Sequence, residues 1–260
     1  MSNNPYESPE HPTNLSRRAS FWPTSPIEYL VLLGLFGLLC SLVMPRHFLS
    51  WGSREAARRL ACSNNLHNIA LALRSYESNY HSLPPAYTVD AEDKPLHSWR
   101  TLLLPYLDQK QLYKQIDLSK PWDDPANKLA YDTPLKIYEC PSNTIDRSRA
   151  MTTYLAVVAP GGCFRTAGCI SLDKITDDRG CTLLVLEVSP KHAVHWMSPH
   201  DATEETLLNR EADDDFAHPG GSQAAFADGG IRFLTNSSRP EALRAMISIN
   251  GNDDNMAGNH

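Results

Sequence analysis

The chain has 260 residues, 42% of them apolar, with a formal net charge of −6. After an N-terminal tail and one apolar run are set aside, roughly 210 residues remain, enough for one sizeable core or two small ones. The acidic balance, with no long run of like charge, gives no support for nucleic-acid binding, which usually needs a basic face.

Residues 1–26 are rich in Pro, Ser and Asn, lack a hydrophobic period and read as a disordered tail. Ile27 to Met44 follows as IEYLVLLGLFGLLCSLVM, in which eleven residues are Leu, Ile, Val or Phe. Eighteen helical residues reach about 27 Å, close to a bilayer's hydrocarbon thickness. Inserting the apolar side chains gains roughly 3 to 7 kcal/mol. The segment 27–44 is therefore expected to be a transmembrane helix, with the lipid bilayer as its partner. Its exit, Val43-Met44-Pro45-Arg46, lacks the small-x-small pattern of a cleaved signal peptide. Leu39 before Cys40 does not fit a lipoprotein site. Arg17 and Arg18 precede the run, and Arg46, Arg54, Arg58 and Arg59 follow it. Taken alone, that count favours a cytoplasmic domain.

From Ser53 the apolar positions Cys62, Leu66, Ile69, Leu73, Tyr76 and Tyr80 fall at alternating spacings of four and three, one seam of an amphipathic helix. Ser53 can cap it, and Pro84-Pro85 ends it. Next comes a helix from Trp99 to Ile116 broken at Pro105, then a short helix over Asp123–Tyr131. Strands are expected at Lys136–Tyr138, Thr153–Val158 and Thr182–Val188. A hairpin is expected from SQAAFA and IRFL around Asp228-Gly229-Gly230, because Gly accepts the positive φ of a tight turn. A closing helix over Pro240–Ile249 precedes a flexible end, 251–260. A long helix first and antiparallel strands later implies α+β rather than βαβ.

The six cysteines contain no C-x-x-C, so a zinc ribbon or thioredoxin-like site is not expected. Cys163 and Cys169 can close a small disulfide loop, and Cys62 with Cys140 is a second candidate pair. Scattered buried thiols are the equally weighted reading. No nucleophile elbow, P-loop, dinucleotide fingerprint or H-E-x-x-H is present, so no enzyme is expected. His192, His195, His200 and His218 lie near Asp201, Asp213–Asp215 and Asp228, but their spacing matches no ligand motif. His218 is expected to close the base of the last hairpin by a hydrogen bond, with Asp228 as a partner. Asp213–Asp215 and Asn252–Asn255 are oxygen-rich but lack the EF-hand pattern and read as solvated loops. No cofactor and no metal site are expected.

An apolar N-terminal helix with Glu28 near its start, extended by an amphipathic helix and a β-rich domain, resembles type IV pilins and pseudopilins. The sequence more closely resembles the bacterial family called domain of unknown function 1559. The motifs that carry this are REAARR (Arg54–Arg59), CSNNL (Cys62–Leu66), SWRTLLLPYLDQ (Ser98–Gln109), PWDDP (Pro121–Pro125), YECPSN (Tyr138–Asn143) and VHWMSPHD (Val194–Asp201). The signature of His, nine residues, then Asp-Gly is met by His218, Asp228 and Gly229. The resemblance implies a pilin-like α+β fold over 45–250, with a long N-terminal helix, transmembrane then amphipathic, packed on an antiparallel sheet.

The resemblance also implies a structural or interaction protein held outside the bacterial cytoplasmic membrane, its partners being other pseudopilin-like proteins or a secretion apparatus. On this ground the extracytoplasmic orientation is preferred to the arginine count. If Glu28 is the fifth mature residue, prepilin cleavage would fall between Pro23 and Thr24, where the expected Gly and aromatic are missing, so the chain is expected to stay unprocessed. The alternative is an anchored module that binds an extracellular ligand such as a glycan through exposed Trp51, Trp99, Trp122 or Trp196. A metal-dependent hydrolase using His218 and Asp228 is a third, weaker reading.

Overall fold

The computed structural model describes residues 25–143, 145–146, 149–166, 168–209 and 216–251, without the side chains of 43–51. The tail up to residue 24, Asp213–Asp215 and the end from residue 252 lie outside the described residues. Two compact units divide the chain, 1–52 and 53–260.

In the first unit, the helix α1 (Pro26–Tyr80) begins at Ser25, whose hydroxyl accepts the Glu28 N–H while the Glu28 carboxylate accepts the Ser25 N–H. From Ile27 to Leu42 it carries large apolar side chains on every side, and these are exposed, as Leu30 at 68% and Phe36 at 68% illustrate. Among the described residues, no helix is long and apolar enough to cross a membrane. The expected span Ile27–Met44 runs two residues past the last described side chain in this stretch, Leu42.

In the second unit, the continuation of α1 buries the expected seam: Cys62, Leu66, Ile69 and Leu73 are all fully buried. Tyr76 is half-buried, and Tyr80, at the end of the seam, is exposed with its ring 4.4 Å from that of Tyr76. The hairpin β1 (Tyr87–Val89) and β2 (Pro95–Ser98) follows. The broken helix at Pro105 resolves into α2 (Trp99–Leu102), a 3-10 turn over Leu104–Tyr106 and α3 (Lys110–Tyr113). Ser98 caps α2 by accepting the Arg100 N–H. The short helix near 123–131 is α4 (Lys128–Tyr131), led by a 3-10 turn that Asp124 caps. Lys136–Tyr138 is a 3-10 turn and not the expected strand. The Tyr138 ring is fully buried there with its hydroxyl on the Arg100 carbonyl, an anchor that no strand ladder supplies.

The main sheet has five strands in the order β7-β4-β5-β8-β9: β4 (Tyr154–Val158), β5 (Leu183–Glu187), β7 (Ala202–Thr203), β8 (Gly221–Phe226) and β9 (Ile231–Thr235). A separate small ladder joins β3 (Met151–Thr152) to β6 (Val194–His195). The sheet is mixed rather than antiparallel throughout, because the edge strand β7 runs parallel to β4. A two-residue edge strand needs no hairpin with its neighbour, so its direction follows from the connection that brings it in. Helix α5 (Glu204–Leu208), started by a Thr203 capping box, and α6 (Pro240–Ile247) complete the unit.

Alternation along the strands sorts the core into two layers. Tyr154, Ala156, Val185 and Ala225 face the α1 seam. Leu155, Val157, Leu186 and Phe226 face the other way, onto Leu207 of α5 and Leu243, Met246 and Ile247 of α6. The fold is α+β, with the N-terminal helix packed on one face of a mixed sheet.

Candidate functional site

The signature residues do not meet. His218 opens a turn in which its carbonyl accepts the Gly221 N–H, with Pro219 next and Gly220 at φ 85°, the residue pattern of a type II turn. Gly221 then starts β8, and a Cβ there would run into the Leu234 carbonyl of β9. Asp228 sits at the opposite end of the strand, in the turn before β9. The six residues of β8 rise about 3.3 Å each, roughly 20 Å in all, so the nine-residue spacing records one strand and its turns. The expected His218–Asp228 hydrogen bond therefore does not form. Asp228 instead accepts the Gly230 N–H at 2.7 Å and an Arg232 N–H at 3.1 Å, while Gly229 takes φ 87°.

His218 joins a different company. Its Nδ1 lies 2.7 Å from Oε1 of Glu55, on α1. Its Nε2 lies 3.5 Å from Cys140 Sγ and 3.6 Å from Oε2 of Glu187, the last residue of β5. Cys62, at the top of the α1 seam, donates to Glu187 Oε2 at 3.4 Å and accepts the Tyr154 hydroxyl at 3.2 Å. One ligating atom from each of Cys62, Cys140, Glu187 and His218 lies within 4.8 Å of all the others, and all four residues are buried. The second candidate pair, Cys62 and Cys140, is thus brought together as neighbouring thiols.

The electrostatics follow from that crowding. The neighbouring Cys62 thiol holds the Cys140 thiol down, to about 4, and the Cys62 thiol correspondingly is pushed far up by Cys140 and by burial. Burial raises the Glu187 carboxyl to about 8, helped by the negative charge on Cys140. For His218, burial works against the charged form, but the Cys140 sulfur and the Glu55 carboxylate outweigh it and lift the ring to about 9. Burial likewise opposes ionisation of Glu55, yet hydrogen bonds from His218, Arg58 and Ser142 keep its carboxyl below the ordinary value. Among the described residues, Glu187 Oε1 is buried without a hydrogen-bond partner.

The other candidates lead elsewhere. His195 stacks on Tyr131 and bonds to its carbonyl, and His200 pairs with the Ser198 hydroxyl. Cys163 and Cys169 are free thiols, the first buried in the core and the second exposed, so the expected loop is not closed by a disulfide. Cys163 is drawn in by the apolar layer that contains Phe164 and Trp99, which leaves Cys169 on the solvent side. Trp99 and Trp196 are fully buried, and Trp122 stacks on Tyr131 and His195, so these three form no exposed aromatic surface. Trp51 and the two oxygen-rich clusters lie outside the described side chains.

A second buried polar site was not foreseen. The Arg100 guanidinium, completely buried, donates to Asp201 at 2.6 Å and to the carbonyls of Trp196, Tyr154, Ser198 and His200. The Asp201 carboxylate also accepts the Trp99 indole N–H and the Ala156 N–H. Burial pushes the Asp201 carboxyl up, and Arg100, Trp99 and Ala156 pull it back only in part. Two of the sequence motifs, SWRTLLLPYLDQ and VHWMSPHD, meet here, but the node is saturated and has no atom left to offer a ligand.

Comparison with known protein families gives a match. The family described as Protein of unknown function (DUF1559) matches residues 53–212, more than half of the chain, as the motifs led us to expect. The matched stretch contains Glu55, Cys62, Cys140 and Glu187 and ends short of His218. Neither the curated proteins nor the solved structures include a match.

Proposed function

We propose, on the premise that this chain belongs to the DUF1559 family, that it is a membrane-anchored, pilin-like structural or interaction protein. Its helix Ile27–Met44 inserts in the bilayer, and the unit from Ser53 onward lies outside the bacterial cytoplasmic membrane. One observation carries the reading: from Ile27 to Leu42, α1 presents exposed Leu, Ile, Val and Phe around its whole circumference. A helix apolar on all sides needs either a protein core around it or lipid. Ser25 and Glu28, which cap its start, are suited to a headgroup position. The pilin-like character is supported by a long N-terminal helix laid on a sheet. With no Gly at the expected cleavage point, the tail is retained.

The test is a chain with an N-terminal tag, expressed in bacteria, with protease added to intact spheroplasts. Digestion of the domain, with the tagged tail left membrane-bound at its uncleaved length, supports the reading. A domain protected until lysis, or a chain released from membranes by alkaline carbonate, overturns it.

A further inference from the structure

We propose that Cys62, Cys140, Glu187 and His218 form a binding site for a thiophilic divalent transition-metal ion, Zn²⁺ being the best fit. This stands apart from membrane anchoring and concerns the unit from Ser53 onward. A tetrahedral zinc ion with bonds of about 2.0–2.3 Å sets its ligands roughly 3.3–3.8 Å apart along each edge. The measured edges are 3.4 Å from Cys62 Sγ to Glu187 Oε2, 3.5 Å from Cys140 Sγ to His218 Nε2 and 3.6 Å from His218 Nε2 to Glu187 Oε2. The remaining separations stay within 4.8 Å. Two sulfurs, one imidazole and one carboxylate make a donor set that favours zinc over magnesium or calcium, which select oxygen.

Two independent features point to a cation as the ligand. Glu187 is fully buried; its Oε1 has no hydrogen-bond partner among the described residues, and its Oε2 meets the Cys62 thiol, a long 3.5 Å N–H from Gln223 and, at 3.6 Å, Nε2 of His218. Buried carboxyl oxygens normally have a partner, and a divalent ion held by this carboxyl gives it one. The second feature is Glu55, which takes Nδ1 of His218 at 2.7 Å and so directs Nε2 into the cluster. Metal-binding histidines are commonly held by a carboxylate on the other ring nitrogen in this way. A small pocket lined by Asn143, Met151 and Thr153 reaches Cys140 of the cluster. Four protein ligands leave no open coordination position, so the ion would tie α1 to β5, to the head of β8 and to the segment after the 3-10 turn.

The test uses the full chain in detergent, reduced and stripped with chelator, then titrated with Co²⁺ and Zn²⁺. The expected result is one equivalent of Co²⁺, with a thiolate-to-cobalt charge-transfer band and the intense visible bands of tetrahedral cobalt, displaced by Zn²⁺. Cys62→Ser and Cys140→Ser should lose the charge-transfer band progressively, Glu55→Gln should weaken affinity about 10–100-fold, and Cys163→Ser should leave the spectrum unchanged. The unmutated protein decides the matter even if a variant fails to fold. Absence of the band after reduction overturns the proposal, as does a band that is undiminished in the Cys140→Ser chain. A protein isolated with Cys62 and Cys140 bridged, and unable to take up cobalt once reduced, overturns it in favour of a disulfide.

Discussion

Two polar sites lie inside the same domain, and they are finished to different degrees. Around Arg100 and Asp201, donors and acceptors match: the guanidinium meets four carbonyls and a carboxylate, and that carboxylate meets an indole and a main-chain N–H as well. Around Glu187, two thiols, an imidazole and a carboxylate crowd together, and one carboxylate oxygen is left without a partner. A saturated buried network explains itself as architecture, since removing it would leave the loop carbonyls of 196–200 unpaired. An unsaturated one keeps a buried oxygen out of water without a hydrogen bond, which is a reason to look for something that binds there. The signature histidine belongs to the second site and the signature aspartate to neither, so the nine-residue spacing tells of a strand length and not of a catalytic pair.

The sharpest way to break this contrast is to remove one partner of the saturated site. Asp201→Ala leaves the Arg100 charge buried without its counter-ion and should destabilise the full chain by about 3–5 kcal/mol, read as a fall in denaturant midpoint in detergent. A loss below about 1 kcal/mol would mean that water reaches Arg100 and that the network is not the closed node described. Next in size is the seam that carries Cys62 to its place. Leu66→Ala should cost about 2–5 kcal/mol by leaving a cavity between α1 and the sheet, and calorimetry would measure it.

The unsaturated site should respond to metal rather than to truncation alone. Zn²⁺ at a hundred times its dissociation constant should stabilise the native chain by about 2.7 kcal/mol, and chelator should reverse that in a thermal melt. Glu187→Gln separates the two roles. Burial already holds this carboxyl near 8, so at neutral pH the metal-free protein keeps it mostly protonated, and an amide of the same shape should change metal-free stability by about 1 kcal/mol or less while removing most of the zinc effect. The smallest effect is expected at the signature aspartate. Asp228→Ala loses a turn hydrogen bond and a half-exposed pair with Arg232, a change of about 1 kcal/mol or less that leaves zinc binding intact. A large loss of zinc binding in that chain would restore Asp228 to the functional site.

Much of the scaffold was legible because it is local. The four-three spacing from Cys62 to Leu73 fixes which face of α1 is buried, Pro84-Pro85 fixes where the helix must stop, and Asp228-Gly229 fixes a turn. These follow from backbone geometry over a few residues. Where longer-range demands compete, local reading fails. Lys136–Tyr138 has the composition of a strand, but burial of the Tyr138 ring on the Arg100 carbonyl bends it into a 3-10 turn. Cys163 and Cys169 are close in sequence, yet the core claims one and solvent the other.

By itself, the sequence determined the apolar run 27–44, the amphipathic helix after it, the α+β class and the family, since each is written in composition, period or ordered motifs. Only the tertiary structure decided that Cys62, Cys140, Glu187 and His218 share one buried volume with Glu55 behind the imidazole. Those ligands come from a helix, a segment after a turn, a strand end and a strand head, tens of residues apart. No spacing rule links them, because what places them together is the packing of α1 across one face of the sheet.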